Sequence, residues 1–160
     1  MIRIGCTGHQ GLSASTRRNV AAAVAGVVAG QSDDTLVGYT SLAEGADQAF
    51  AFAVLAAGGQ LHAVIPSQGY AETFATDEAR DSYAALVKLA TDTTLLPFSE
   101  PSEDAYLAAG HAIVERCDLL IAVWDGQRAV GKGGTGDVVA YAKKLGVDIR
   151  VIWPTGSRRI

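Results

Sequence analysis

The segment Leu119-Leu120-Ile121-Ala122-Val123-Trp124 is apolar at every position and is followed directly by Asp125 and Gly126. A strand with one face in water alternates apolar and polar residues, whereas a continuous apolar run is typical of a strand buried on both faces. Such strands occur in parallel sheets that helices cover on both sides. The segment therefore predicts a central strand of an α/β protein.

Strand-like and helix-like segments alternate along the rest of the chain. The sequence predicts the other strands at 2–7, 35–39, 61–65, 93–96 and 148–153. It predicts helices between them at 16–30, 46–57, 77–91, 102–116 and 134–145. This order favours a Rossmann-like three-layer sandwich, with a mostly parallel central sheet and helices on both faces. Residues 1–154 are expected to form a single nucleotide-binding domain, followed by a short tail at 155–160 in which Arg158 and Arg159 form a solvated end.

Composition excludes several classes of protein. The chain has 160 residues, of which 49% are hydrophobic and 19% charged, so it is long enough for one domain with a substantial core. Its net charge of −4 makes nucleic acid a poor candidate partner, since nucleic-acid-binding domains usually present a basic face. Cys6 and Cys117 are too few for a disulfide scaffold or a four-thiolate zinc site, and we expect both in the core. The sequence lacks a membrane-spanning run and a signal peptide, which predicts a cytoplasmic protein.

Polar and glycine-rich residues follow four of the predicted strands. They lie at 7–11, 40–47, 66–69 and, after the apolar strand, at 125–126 and 131–137. In an open parallel sheet, the carboxyl ends of the strands meet at one edge, and ligands bind there. The loops therefore predict a single site.

Within that site, Gly131-Lys132-Gly133-Gly134-Thr135-Gly136 has the composition of a phosphate-binding loop. Four glycines let backbone N–H groups approach an anion closely, and the following helix contributes its positive end. The stretch 126–132 nearly matches a P-loop, but Gly133 stands where that motif needs a Ser or Thr for magnesium. We therefore exclude a standard P-loop ATPase.

The loop after the first strand has the spacing G-x-x-G-x-x-G from Gly5 to Gly11 and contains His9. His9 could bind a phosphate or a ribose, or be an ordinary polar loop residue. His62, inside a strand, and His111, inside a helix, are interpreted as packing residues. The spacing of His, Cys, Asp and Glu indicates no metal cluster.

Three carboxylates lie at the predicted edge. Glu44 could reach a ribose hydroxyl, act as a base or simply cap the helix, whereas Asp47 is interpreted as a helix cap and nothing more. Asp125 could bind sugar hydroxyls or a water molecule. Tyr106 and Trp124 are candidates for stacking on a base, with a core role favoured for Trp124.

Four stretches of the chain together resemble the SLOG superfamily, a Rossmann-like group that includes the LOG (lysine-decarboxylase-like) proteins and the DNA-processing protein DprA. They are Gly5-Cys6-Thr7-Gly8-His9, Ser41-Leu42-Ala43-Glu44-Gly45-Ala46-Asp47, residues 117–126, and Gly133-Gly134-Thr135-Gly136. The resemblance spans nearly the whole chain and implies a site for a nucleotide or a nucleotide-derived ligand.

The LOG enzymes cleave a nucleoside monophosphate between the base and ribose 5′-phosphate, and their signature is P-G-G-x-G-T-x-x-E. When it is aligned through Gly134 and Thr135, its catalytic glutamate falls on Val138. Asp137 is adjacent, but one residue along a helix turns a side chain by about 100°. The catalytic carboxylate of that pattern is therefore absent from its place.

The sequence thus predicts a module, of the sensor or carrier type, that binds a nucleotide or a phosphoribose-containing ligand. The predicted binding residues are Gly8, His9, Ser41, Gly45, Asp125, Lys132, Gly133, Gly134, Thr135 and Gly136. One alternative is a hydrolase of an N-glycosidic or phosphate bond that uses Glu44, Asp125 or Asp137 as general base. The other is a non-catalytic partner domain. No cofactor or metal is required, although a diphosphate ligand would bring Mg²⁺. The alanine-rich helices favour a homodimer or a higher homo-oligomer.

Overall fold

The computed structural model describes residues 1–31, 35–128 and 131–160, which form six strands and five helices. The strands are β1 (Ile2–Gly8), β2 (Leu36–Thr40), β3 (Gln60–Ile65), β4 (Asp92–Leu95), β5 (Leu119–Val123) and β6 (Asp148–Ile152). The helices are α1 (Ala14–Ala29), α2 (Ala46–Ala56), α3 (Asp77–Leu89), α4 (Glu103–Arg116) and α5 (Thr135–Leu145). Positions 129 and 130 of the P-loop-like stretch lie outside the described residues.

The strands form one sheet in the order β4-β3-β2-β1-β5-β6, and every neighbouring pair is parallel. The chain moves outward from β1 through β2, β3 and β4, and then returns to the other side of β1 with β5. The point between β1 and β5, where the direction reverses, is where an open α/β sheet binds ligands. The predicted Rossmann-like sandwich is confirmed.

The core lies on both faces of this sheet, as the apolar strand predicts. Leu120 packs in a cluster with α4 and α5, whereas the next residue, Ile121, packs in a cluster with α1 and α2. Cys6 and Cys117 are buried and are free thiols, which confirms their prediction as core residues. The part of the chain that the structure describes contains no helix long and apolar enough to cross a membrane.

The predicted elements agree with the structure to within two residues at each end. Three of the helices, α1, α3 and α4, begin where a polar side chain caps them: Ser13, Thr76 and Ser102 each accept a hydrogen bond from a backbone N–H of the first turn. A short 3₁₀ turn at Tyr70–Thr73 is not predicted. It follows Gly69, whose φ of 71° lies in the left-handed region that a loop sequence does not specify.

The segment 155–160 is held against the loop that follows β1. Arg159 forms an isolated antiparallel bridge with Leu12, and the N–H of Ile160 donates to the carbonyl of Gly11 at 2.9 Å. The N–H of Arg158 donates to the Thr16 hydroxyl at 3.0 Å. The expectation of a solvated end is therefore wrong for this backbone, because the loop after β1 offers unpaired groups that the segment satisfies.

A glycine in β2 is required by helix packing. A Cβ on Gly38 would lie 2.7 Å from Val54 Cγ2 and 3.2 Å from two ring carbons of Phe50, so α2 would have to move. We expect Gly38→Ala to lower the free energy of unfolding by about 1–3 kcal/mol, the usual cost of overpacking. Urea denaturation measures this.

Gly26→Ala is the matched control, because Gly26 lies within α1 and a Cβ there would meet nothing within 4 Å. Alanine has the higher helix propensity, so this variant should gain up to about 1 kcal/mol. Equal stability of the two variants would show that Gly38 is not fixed by packing.

Candidate functional site

A cavity of about 310 Å³ opens at the switch point between β1 and β5. This volume lies at the small end of the range for ligand sites, about 300–1,000 Å³. The lining comes from the end of β1, from the loops after β1, β2, β3 and β5, from α2, α4 and α5, and from the last residues of the chain. The lining residues are Cys6, Thr7, Gly8, His9, Gln10, Gly11, Ser41, Ala43, Asp47, Pro66, Tyr70, Tyr106, Ala109, Gly110, Ile113, Gly133, Gly134, Thr135, Val138 and Arg159.

One wall of the cavity is the start of α5. Gly134 is the N-cap residue, and its carbonyl accepts from the N–H groups of Asp137 and Val138. It supplies no side chain to the N–H groups of Thr135 and Gly136, which are therefore available to a ligand. Gly133 adopts a φ of 79° and donates its N–H to Asp137 Oδ2 at 3.1 Å. Asp137 thus holds the loop in shape. Its carboxylate is engaged there, and it is not among the lining residues.

His9, Asp125 and Arg159 form a polar cluster at the mouth of the cavity. His9 Nε2 lies 3.2 Å from the backbone nitrogen of Asp125, from which it accepts, and 3.2 Å from Asp125 Oδ1. Burial and the nearby Arg159 charge lower the pKa of His9, although Asp125 opposes this, so the ring is neutral at pH 7. Burial alone would raise the pKa of Asp125, but the hydrogen bond from the Gln127 N–H, the contact with His9 and the Arg159 charge outweigh it and hold that pKa below its usual value.

Arg159 is the cation of this cluster. Its guanidinium lies 3.5 Å from Asp125 Oδ2, its side chain is 52% exposed, and it lines the cavity. The bridge to Leu12 and the hydrogen bond from Ile160 to Gly11 fix the backbone on either side of it. A pinned backbone with a long, partly exposed side chain is well placed to meet an anion in the cavity.

A buried carboxylate from the first turn of α2 also lines the cavity. Asp47 is 6% exposed, Oδ2 accepts from the N–H of Ala43 at 3.3 Å, and Oδ1 has no hydrogen-bond partner among the described residues. Burial raises the pKa of Asp47 to about 7, against the opposing effects of the Ala43 N–H and the nearby Thr40 hydroxyl and Cys6 thiol. Sequence reasoning interprets Asp47 as a cap only, and the structure adds it to the cavity wall.

The remaining wall is apolar and aromatic. Tyr70 and Tyr106 lie with their ring centroids 6.2 Å apart, and the small residues Ala109 and Gly110 of α4 leave room beside them. Helices α4 and α5 pack closely at Gly110, since a Cβ there would lie 2.6 Å from Val138 Cγ2. The wall could accept a flat, largely apolar group such as a base.

The structure brings half of the sequence-predicted site residues to the cavity. Gly8, His9, Ser41, Gly133, Gly134 and Thr135 line it, whereas Glu44, Gly45, Asp125, Lys132, Gly136 and Asp137 do not. Glu44 accepts from the Thr76 hydroxyl on another surface, and Lys132 forms an exposed ion pair with Asp104 at 3.3 Å. Val138, which takes the place of the LOG glutamate, is buried in the cavity wall.

The other two histidines and Trp124 lie outside the cavity lining. His62 packs edge-on against Tyr39, and His111 stacks on Tyr141 with centroids 3.8 Å apart. Trp124 donates its indole N–H to the carbonyl of Gln127 at 2.8 Å. No group of three or more potential metal ligands occurs among the described residues.

No protein-family model matches the chain, and no curated protein is significantly similar to it in sequence. Solved structures are similar to it in fold. DNA processing protein A from Streptococcus pneumoniae superposes with a TM-score of 0.67 at 21% identity, over 98% of this chain and 52% of the other. This chain therefore spans about half the length of that protein. The same protein from Helicobacter pylori gives a TM-score of 0.67 at 12% identity, over 99% of this chain and 68% of the other.

A molybdenum cofactor binding protein from the phototrophic bacterium Rippkaea orientalis gives a TM-score of 0.60 at 17% identity, over 94% of this chain and 75% of the other. These similarities agree with the Rossmann-like fold that the sequence predicts.

The same comparison corrects the expectation about partners. The H. pylori protein binds single-stranded DNA, so proteins of this fold include nucleic-acid binders. The argument from net charge fails because overall charge does not report how cations are distributed, and a local cluster is enough to meet phosphates.

Proposed function

We propose that this chain, which has the Rossmann-like fold of the SLOG superfamily, binds a nucleotide or another phosphoribose-containing ligand in the cavity between β1 and β5. The observation that carries the proposal is the meeting, in one cavity, of an uncapped helix start at Gly134, the cation of Arg159 and an apolar aromatic wall. Each part suits one part of such a ligand.

The phosphate would lie against the start of α5. The N–H groups of the first helical turn lack a capping side chain, and the helix dipole adds partial positive charge at the same place. Arg159 supplies a full charge from the other side of the cavity mouth. Lys132 is not needed for this role, because Asp104 already pairs with it outside the cavity.

The rest of the ligand would extend along the cavity towards Tyr70 and Tyr106. Their rings and the small residues of α4 can pack against a base, and Ser41 and His9 offer polar groups between the two ends. The volume of about 310 Å³ favours a mononucleotide over a dinucleotide.

Hydrolysis of such a ligand is the alternative. It needs a general base within hydrogen-bond reach of the attacking water. Of the three carboxylates that the sequence offers as a base, Glu44, Asp125 and Asp137, none lines the cavity, and Val138 occupies the position of the LOG glutamate. His9 and Asp47 do line it, but His9 Nε2 already accepts from the Asp125 N–H, and the Asp47 carboxylate is buried. We therefore favour binding without turnover. Analysis of products for each bound nucleotide tests this directly, and release of base or phosphate would overturn it.

A single nucleic-acid strand is a second candidate ligand, favoured by four exposed arginines at one edge of the protein. The N–H of Arg158 donates to the Thr16 hydroxyl, which places Arg158 near Arg17 and Arg18 at the start of α1. Arg159 follows and lines the cavity. Such a cluster can follow successive phosphates. The steep salt dependence expected of a strand, compared with that of a mononucleotide, would separate the two ligands.

Replacement of Arg159 tests the phosphate site. We expect Arg159→Ala to weaken binding of AMP and of inorganic phosphate about tenfold, through loss of one charge-assisted contact. Lys132→Ala removes the same charge about one turn before α5 and should change both affinities by less than about twofold. Thermal-shift titration gives the affinities. A larger effect of Lys132→Ala than of Arg159→Ala would contradict the assignment.

A further inference from the structure

The buried carboxylate of Asp47 is not used by the phosphate site. Asp47 is only 6% exposed and lines the cavity, and one of its carboxylate oxygens has no hydrogen-bond partner among the described residues. A buried polar atom left unpaired costs about 1–3 kcal/mol, so such an atom in a native structure calls for an explanation. A carboxylate has about four acceptor sites. The Ala43 N–H donates to Oδ2, and the Thr40 hydroxyl and the Cys6 thiol lie close enough to lower the pKa of Asp47, but Oδ1 has no hydrogen-bond partner among the described residues.

The position of Asp47 defines which part of the ligand could satisfy it. It lies in the first turn of α2, which follows β2, whereas the phosphate wall follows β5. These strands lie on either side of β1, so they are about 10 Å apart. Asp47 is therefore too far away to contact the phosphate and is placed near the middle or far end of a bound mononucleotide.

Among the described residues, no cationic group contributes to the pKa shift of Asp47. The titratable groups that face it are the Cys6 thiol of β1 and the Tyr70 phenol of the 3₁₀ turn. Burial raises the pKa of both, so both are neutral near pH 7. The missing partner is therefore a group that the ligand must bring.

We propose that Asp47 is a specificity-determining residue that takes a hydroxyl group of the sugar of a sugar-phosphate ligand. A hydroxyl is both donor and acceptor, so it can pair with the carboxyl whether the latter is ionised or protonated. An ammonium group would pair with the ionised form alone. The inference rests on the proposed function, because it needs the phosphate to fix the ligand in the cavity.

Asp47→Asn isolates this contact. The amide carbonyl can keep the hydrogen bond from Ala43, and the amide NH₂ then replaces the unpartnered oxygen, so a hydrogen-bond acceptor becomes a donor. Glu44→Gln is the matched control, because it makes the same chemical change three residues earlier, at a side chain outside the cavity lining.

The probes are inorganic phosphate, ribose 5-phosphate and n-pentyl phosphate, which has the same number of carbons but no hydroxyl. By calorimetry at about pH 8, we expect Asp47→Asn to bind ribose 5-phosphate about tenfold more weakly than the wild-type chain. Phosphate and pentyl phosphate should bind the two proteins equally, within about twofold. Glu44→Gln should match the wild type for all three.

The wild-type chain gives a second readout that needs no variant. An ionised acceptor makes the stronger hydrogen bond, so the preference for ribose 5-phosphate over pentyl phosphate should rise severalfold between about pH 6 and pH 8. The two probes share the same phosphate monoester, so its own ionisation cancels. This rise should be absent in Asp47→Asn.

The outcomes separate the two proposals. If none of the three probes binds the wild-type chain, the proposed phosphate site is wrong. If the probes bind but Asp47→Asn weakens pentyl phosphate as much as ribose 5-phosphate, or weakens neither, Asp47 does not read the sugar hydroxyl and only this inference is overturned.

Discussion

Asp47→Asn should stabilise the protein at alkaline pH by up to about 4 kcal/mol. In the folded chain, burial raises the pKa of Asp47 from 3.8 to about 7. The folded state therefore binds this proton more tightly than the unfolded state, and stability falls as pH rises from about 4 through 7. Each pKa unit corresponds to about 1.36 kcal/mol, so the difference between the folded and unfolded pKa values amounts to about 4 kcal/mol of stability lost above pH 7. Asparagine has no proton to lose, so the variant avoids the loss.

The measurement is the difference in free energy of unfolding between variant and wild type, from urea denaturation between about pH 4 and pH 8. Taking the difference removes the contributions of other titrating groups that both proteins share. We expect it to be small at the acid end and to grow steadily until about pH 7. A difference that does not depend on pH would mean that Asp47 is ionised at low cost, which would also remove the reason to call it an unsatisfied group.

Asp125→Asn provides a contrast of opposite sign. The pKa of Asp125 is held below its usual value, so the native contacts of its carboxylate add stability that is present above about pH 4 and lost below it. Its replacement should therefore lower stability at neutral pH and have less effect in acid. The two carboxylates lie at the same sheet edge, and only their surroundings distinguish them.

The fold could be predicted from the sequence because its strongest signals are local. The apolar run that became β5 and the alternation of strands and helices define a parallel sheet, and parallel connections then bring the loops to one edge. The cavity wall formed by Gly133, Gly134 and Thr135 was predictable for the same reason, since it combines backbone geometry with a helix start that follows directly in sequence.

The other parts of the site depend on contacts between distant residues. Arg159 reaches the cavity because its backbone pairs with Leu12, and Lys132 is drawn away by Asp104, 28 residues earlier. Asp47 has the sequence of an ordinary first-turn acid. It differs because Gly45, with a φ of 96°, lets the chain turn so that Ala43 donates to the Asp47 carboxylate at the cavity wall. Burial of that kind has no sequence signature.

Gly133→Ala should reduce affinity for AMP and inorganic phosphate by more than about a hundredfold in a protein that still folds. Gly133 has a φ of 79°, and a Cβ there would lie 2.7 Å from the Leu107 nitrogen, 2.8 Å from Tyr106 Cβ and 3.0 Å from the Glu103 carbonyl oxygen. Most of these atoms belong to the backbone of α4 and cannot move aside cheaply. The loop would therefore shift. Losing two charge-assisted N–H contacts costs about 3 kcal/mol or more, which is over a hundredfold.

Gly126→Ala is the control that separates the effect of displacing the loop before α5 from the cost of placing an alanine in the left-handed region. Gly126 has a φ of 84°, close to that of Gly133, but a Cβ there would meet nothing within 4 Å and the residue does not line the cavity. Both variants pay about 1–2 kcal/mol for a left-handed alanine, so both lose some stability. If the first turn of α5 holds the phosphate, only Gly133→Ala also loses the ligand. Wild-type affinity in a folded Gly133→Ala protein would place the phosphate elsewhere, and an equal loss in both variants would trace the effect to general destabilisation.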